Sequence, residues 1–471
     1  MKFKLCVMIS VILQGFVTVV HAQEMAIGPI QRQLREVYRE LVEINTTDST
    51  GNCTDAAQAM GARLRSAGLA AADVQLLSPP GGAKKGNLVV RLRGNGAKKP
   101  LLLLAHIDVV EAKREDWKRD PFKLIEEDGH FYARGAADDK AMAAAFVANL
   151  MRYRTEKYIP DRDIVLALTC DEEIIPSPHN GVEFLLKNHR SLLDAELALN
   201  EGGGGQLDKS GKRVRLTIQA GEKVFQSYRL EATNPGGHSA QPRRDNALYD
   251  LARGLARLGD FEFPAKLLPV TRASFARMAG ILTGQVAEDM KAVAAEPPDA
   301  SAIARLSRTP SYNAQLRTTC VATMADAGEA TNSLPQRARA VVNCRVLPGE
   351  SVAEVRSTLT RVLDNERITV TPMGNAVLSP PAPLDERILG PVQSIATAMW
   401  PGVPLVPTMS AGATDSRFLN NAGIPTYGIS GMFNEPETSG VHAVNERLPV
   451  RSLYEGQEFL YRLVKALAGG G

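Results

Sequence analysis

The chain predicts an α/β fold: a sheet covered by helices on both faces, interrupted by an inserted α+β block. Three observations carry this expectation. Between residues 87 and 199, strand-like and helix-like runs alternate, the pattern of a largely parallel sheet with helices on its faces. Near Val214 the texture changes to neighbouring strands followed by a helix-rich stretch, and from about Pro383 the alternation resumes. At 471 residues, two domains are the natural expectation. The boundaries that follow are 1–22 for a leader, 23–213 and 376–471 for the two parts of the first domain, and 214–375 for the insert.

Each element has a local reason. Ile30 to Ile44 and Asp55 to Ala67 repeat apolar residues at helical period, and Gly68 suits a helix stop. Asn87 to Arg93 reads as a strand, and Leu101 to Leu104 is an unbroken apolar run, as in a strand buried on both faces. Helices follow at Lys140 to Tyr153 and Gly181 to Asn188, and strands at Asp163 to Thr169 and Ala195 to Leu199. Val214 to Ala220 and Phe225 to Ala232 read as paired strands opening the insert. A helix at Asn246 to Leu258 leads to a mostly helical stretch, 264–312, punctuated by Pro297 and Pro298. Strands at Gln315 to Met324 and Arg337 to Val346 and a helix at Val352 to Leu363 complete the insert. Beyond it come a helix at Glu386 to Met399 and a strand around Ile424 to Ile429.

Composition narrows the function classes. Hydrophobic residues make up 44% and charged residues 23%, which permits a sizeable core and argues against disorder. The formal charge of +3 includes Lys2 and Lys4 of the leader, so nothing points to nucleic acid or an anionic membrane. Lys2 and Lys4, the short apolar run from Leu5 to Val20, and Val20-His21-Ala22 read as a cleaved secretory signal, so a secreted or periplasmic protein with no membrane contact after cleavage is expected. Of the remaining Cys53, Cys170, Cys320 and Cys344, none forms a CxxC pair, which argues against a thiolate zinc site. Cys320 and Cys344 lie on two strand-like runs with a turn between them and are the best candidate pair for a disulfide, which export allows.

Five short motifs hold the chemistry, most of them at strand ends, where open α/β sheets bind ligands. They are Ala105-His106-Ile107-Asp108, Gly135-Ala136-Ala137-Asp138-Asp139-Lys140, Thr169-Cys170-Asp171-Glu172-Glu173, Leu199-Asn200-Glu201-Gly202-Gly203 and Gly440-Val441-His442-Ala443-Val444-Asn445-Glu446. Singly, each also suits a solvated loop, a helix N-terminal charge pattern or a satisfied polar residue. Together they supply two histidines and several carboxylates, an N/O donor set that suits zinc. Two zinc ions can share one carboxylate and one water, whose pKa falls to about 7, and a neighbouring Glu can take its proton and pass it to a leaving amine.

With these motifs the sequence resembles, from about Val37 to Leu463, the metallopeptidase family of acetylornithine deacetylase, succinyl-diaminopimelate desuccinylase and glutamate carboxypeptidase. Arg317-Thr318-Thr319-Cys320-Val321, Asn200-Glu201-Gly202-Gly203 and the long insert make its glycine-X carboxypeptidase (carboxypeptidase S-like) branch the nearest part. The resemblance implies a discontinuous zinc-exopeptidase catalytic domain with an inserted ferredoxin-like lid or dimerisation domain. It implies His106 as a ligand of one zinc, Asp108 as its orienting residue and Asp138 as the bridging carboxylate, often followed by a cis peptide. Glu172 matches the general base, Glu173 a ligand, Glu201 the remaining carboxylate on the first zinc, and His442 the ligand completing the second site. His238, in Gly236-Gly237-His238-Ser239-Ala240, matches a residue that polarises the scissile carbonyl, often in the partner subunit's active site. Asn332 and Arg345 match segments holding the substrate carboxylate, with Arg345 the natural bidentate partner, and Gly412 and Thr414 match a glycine-rich segment lining the cleft. The chain departs from the family in having Ala141 after Lys140 and in the length of its insert.

The activity implied is hydrolysis of an amide or peptide bond next to a free carboxylate, as an exopeptidase, dipeptidase or N-acyl-amino-acid deacylase, by a metal-bound hydroxide with Glu172 as base. The cofactor implied is two zinc ions, with cobalt or manganese accepted by the same donors. The implied partners are a small peptide or N-acyl amino acid and a second copy in a homodimer. A non-catalytic relative that binds peptides or metal is the alternative; its sign would be loss of Glu172, which this chain keeps.

Overall fold

The computed structural model describes residues 27–435 and 440–470; the expected leader lies outside them. A ten-stranded mixed sheet forms the larger part. Its centre is parallel: Leu101–His106 runs between Ile164–Thr169 and Leu197–Asn200, and Thr426–Gly428 continues beside the latter. These strands are buried along their whole length, which is why they read as unbroken apolar runs rather than alternating ones. Helices Pro29–Glu43, Lys140–Thr155 and Val450–Ala468 share one core on one face, and Gly181–Asn188 and Ser416–Asn421 border a second core on the other. The Gly202 to Gly205 run is a packing requirement: a Cβ on Gly205 would stand 2.1 Å from the Phe433 ring, and one on Gly203 2.1 Å from the Gly428 carbonyl oxygen. Among the described residues, no helix is long and apolar enough to cross a membrane.

The second sheet has four antiparallel strands in the order Thr319–Ala327, Arg337–Val346, Val224–Thr233, Ile368–Met373. Helices Ala247–Asp260 and Val352–Leu363 share its core through Leu251, Leu258, Val355 and Leu359. Taken in chain order the unit is β-α-β-β-α-β, the ferredoxin-like arrangement.

Two expectations about the insert need correcting. The strand expected to open it, Arg213–Glu222, does not pair with Val224–Thr233. It lies in the large sheet against Leu405–Ser410 and Gly205–Leu207. An alternating apolar run fits either sheet, so its composition does not name its partner. The helical stretch Pro269–Met278 through Pro310–Leu316 also leaves the small sheet: Phe275, Met278 and Leu306 form a core with Val406 of the large one.

Two disulfides are present. Cys320–Cys344, the expected pair, joins directly opposed residues of neighbouring strands. Cys53–Cys170 ties the start of the helix Cys53–Ser66 to the residue just before Asp171-Glu172-Glu173.

Candidate metal centre

Strand register brings the motifs together. His106 is the last residue of its strand and lies opposite Thr169, so the segments 107–109 and 170–173 leave the sheet side by side. Leu103 lies opposite Leu199, which delivers Glu201 to the same edge. Asp138 ends the loop before the helix Lys140–Thr155, and His442 comes from the loop 440–446. His106 Nε2 lies 3.0 Å from Asp138 Oδ1 and 3.9 Å from Glu201 Oε1. His442 Nε2 lies 3.2 Å from Asp138 Oδ2 and 3.0 Å from Glu173 Oε2. The structure thus holds two three-residue groups, His106-Asp138-Glu201 and Asp138-Glu173-His442, each with its donor atoms within 4.8 Å of one another. Asp138 belongs to both, one oxygen facing each.

The surrounding groups hold these donors in place. His106 Nδ1 is 3.0 Å from the Asp108 carbonyl oxygen and 3.5 Å from Asp108 Oδ1, which leaves Nε2 for the centre. The Asp108 carboxylate also accepts the amides of Glu172 at 3.3 Å and Glu173 at 3.0 Å, so it pins both strand-end segments. Glu446 is fully buried and accepts the amides of Gly135, Ala137 and Asp138 at 2.7–3.0 Å, plus Arg134 Nη1 at 2.8 Å. One carboxylate therefore fastens the Asp138 loop to the segment carrying His442. The Asp138–Asp139 peptide is cis.

Charges are crowded here. Burial, then the charge of nearby Glu201, pushes the Glu172 carboxyl well above its usual range. Burial raises Glu201 and Asp139 as well. Burial also acts on Asp138, yet the imidazoles of His106 and His442 hold it below the carboxylate range. Hydrogen bonds to Asp138 and Glu173 push His442 up to about 10. Several buried carboxylates this close are stable only with positive charge among them. The chemistry of the donors, neutral imidazole and carboxylate oxygen, fits two divalent cations bridged by Asp138.

The expected substrate-side residues are less closely gathered. Arg345 is half-buried with its guanidinium 4.9 Å over the Phe225 ring, and among the described residues no carboxylate pairs with it. Burial, then the charge of Arg417, lowers its pKa. Arg417 itself is buried, 3.9 Å from Asp415. Gly412 is exposed. Thr414, expected to line the cleft, gives both its amide (2.8 Å) and its hydroxyl (3.0 Å) to buried Glu222, which also accepts Ser379 Oγ at 3.0 Å. Its polar atoms are spent on supporting the loop. His238 lies on the small two-stranded sheet of the insert and Asn332 in the turn just before its second strand, where its carbonyl accepts the Ser239 amide; both are exposed, and His238 Nδ1 accepts the Ala240 amide. Neither has a contact with the metal-centre residues.

Four residues of the site were not singled out from sequence: Glu446, Asp415, Arg417 and Glu222. Glu446 stands inside the last of the five motifs, and Asp415 and Arg417 directly follow Thr414 in the glycine-rich segment, so their place beside those residues was the available signal. Asp415 takes a hydrogen bond from Asn180 at 2.8 Å, and burial pushes its carboxyl up to about 6. Glu222 lies in a strand that gave no sign of it.

Known proteins resemble this chain along most of its length. A family model described as Peptidase family M20/M25/M40 matches residues 102–466. The human N-fatty-acyl-amino acid synthase/hydrolase PM20D1 is 29% identical over 378 residues, covering 78% of this chain and 74% of that protein. A probable carboxypeptidase S-like 2 from Dictyostelium discoideum is 28% identical over 381 residues, covering 78% of this chain and 71% of that protein. Among solved structures, the M20 family metallo-carboxypeptidase Sso-CP2 from Sulfolobus solfataricus superposes with a TM-score of 0.65 at 20% identity, covering 93% of this chain and 99% of that one.

Proposed function

The chain belongs to Peptidase family M20/M25/M40 and is a metal-dependent hydrolase, and from that premise we propose that it is an exported dizinc enzyme cleaving an amide bond beside a free carboxylate. The observation that carries this is the sharing of Asp138 between two donor groups with the buried Glu172 beside them. When bound, the two ions supply a polarised carbonyl and an activated water.

The chain's own residues do the rest. His106, Asp138 and Glu201 hold one ion, and Asp138, Glu173 and His442 the other. Among the described residues the Glu172 side chain makes no hydrogen bond that would fix its charge, and its raised pKa lets it accept a proton on a carboxylate oxygen and return it to the leaving nitrogen. Asp108 orients His106 and both glutamates. Arg345 and Arg417 repel one another, and a substrate carboxylate near them removes that repulsion. This supports an N-acyl amino acid or a peptide C-terminus as the group recognised, in keeping with the names of the relatives. His238 serves as donor to the scissile carbonyl once the insert closes or a second copy docks. The leader and the two disulfides support export.

The test is to strip the mature protein with chelator, add back zinc, cobalt or manganese, and assay a mixed panel of dipeptides and N-acyl amino acids, with Glu172→Ala as control. Activity should return with about two ions per chain and be absent in Glu172→Ala. Full turnover in Glu172→Ala, or in protein that holds no metal, would reject the reading.

A further inference from the structure

Beside the metal-centre carboxylates lies a cavity of about 400 Å³. Asp138 and Glu201 line it, and so do the apolar Met142 and Met432 and the polar Asn434 and Arg215. Arg215 is an unusual residue to find there. It lies on the strand Arg213–Glu222, with Arg213 two residues away on the same side. Arg213 is neutralised by both oxygens of Glu455, at 2.6 and 2.8 Å. Arg215 has no carboxylate within ion-pair distance among the described residues. Its Nη1 donates to the sulfur of Met278 at 2.8 Å, and its Nε is buried with no acceptor. The Asn434 side-chain oxygen on the same wall is also buried without a partner among the described residues. A half-buried guanidinium whose Nε is buried without an acceptor and whose Nη1 has only a thioether is costly, and an anion in the cavity would satisfy it.

Position says which part of a substrate this would be. The walls of the cavity include neither Arg345, Gly412 nor Arg417, so the elements suited to the free carboxylate stand elsewhere around the ligand cluster. A substrate anchored there by its carboxylate sends its acyl side, across the scissile bond, toward Arg215. The helical stretch that lengthens the insert contributes to this place: Met278, against the guanidinium, and Tyr312, near it, both come from that stretch.

We propose that this cavity is an acyl-side subsite in which Arg215 recognises an anionic group, either the far carboxylate of a dicarboxylic acyl chain or an acidic side chain of a peptide. The inference rests on the hydrolase reading above. Two substrate pairs separate the sources: N-glutaryl against N-valeryl forms of one amino acid, and a Glu- against a Gln-initiated dipeptide. The zinc-loaded enzyme should prefer the acidic member of at least one pair, and Arg215→Gln should lower that acidic-to-neutral ratio of kcat/KM at least about tenfold, with Arg215→Lys keeping part of it. A preference confined to one pair names the source. Should Arg215→Gln fail to fold, Asn434→Asp, which sets a competing carboxylate on the same wall, must lower the same ratio. A ratio unchanged in a folded variant, or no acidic preference in the wild type, overturns the proposal. If no substrate is cleaved, the hydrolase reading fails separately, and calorimetry of the zinc-loaded protein with glutarate and valerate decides the subsite. Glutarate binding that depends on Arg215 supports it, and equal binding by wild type and Arg215→Gln overturns it.

Discussion

His442 carries the pH dependence of the centre. Hydrogen bonds that its ring donates to Asp138 and Glu173 raise it to about 10, so in metal-free protein at pH 7 its ring is protonated. Burial works against a charge on His106, but Asp108 and Asp138 raise it well above the usual histidine value too. Ligation needs neutral rings, so a cation must displace these protons. The sign follows: acid supplies the competitor and weakens metal binding, while rising pH strengthens it until His442 is already neutral above about 10. Zinc binding at pH 7 should therefore release about one to two protons, and affinity should climb between pH 6 and pH 8. Calorimetry in two buffers of different protonation enthalpy counts them. Release of none would mean that neither imidazole ligates.

Between the residues and the sheet stands a set of loops, and Glu446 shows how they are held. Four donors converge on its carboxylate, three of them backbone amides of the segment that ends in Asp138. Four residues before it, His442 stands in the left-handed backbone region with φ at 59°, a conformation the loop must sustain. Glu446→Gln keeps the size but replaces one accepting oxygen with a donor aimed at other donors. Zinc affinity should fall about 10–100-fold with the overall fold intact, as competition with a chelator would measure, and kcat should fall with it. An unchanged affinity would mean that the strand ends alone position Asp138 and His442.

Two sheets organise the described residues, and a buried lysine ties together the chain segments that pass between them. Lys223, at the exit to the second sheet, is fully buried and donates to the Arg317 carbonyl at 2.7 Å and to Thr319 Oγ1 at 3.3 Å on the returning chain. Burial lowers its ammonium to about 7 and raises the adjacent Glu222 to about 7. His238 rides on the insert, away from the cluster. The strand Thr319–Ala327 forms an edge of the small sheet and exposes Val321 and Met324. His238→Ala should reduce kcat about 10²–10³-fold if the ring polarises the carbonyl. Mixing His238→Ala with Glu172→Ala, each poorly active alone, should restore activity if the ring crosses between subunits. No restoration, with a loss in His238→Ala alone, would assign the ring to its own subunit's site; no loss in His238→Ala would remove it from the mechanism.

Much of this was legible before any coordinates. Leu101 to Leu104 announced a central strand because a strand buried on both faces must be apolar throughout. The motifs around His106, Asp138, Glu172, Glu173, Glu201 and His442 stood out because closely set carboxylates and imidazoles are costly without a cation and strand ends are where such groups can converge, while the role of each residue came from the resemblance to the metallopeptidase family. Other features waited for the tertiary structure. Arg213–Glu222 satisfies either sheet by its pattern, and only its neighbours Leu405–Ser410 and Gly205–Leu207 decide where it goes. Cys53 and Cys170 lie 117 residues apart, and only the packing of a helix start against a strand end joins them. Thr414 and Arg215 are ordinary letters in ordinary contexts. One donates to Glu222, and the other lines the cavity beside the metal centre with no carboxylate partner among the described residues. The sequence by itself determined the chemistry and the elements that carry it, since donor type and local periodicity are properties of short segments. The tertiary structure alone decided the partners, because which groups are satisfied and which remain open depends on contacts between segments far apart in the chain.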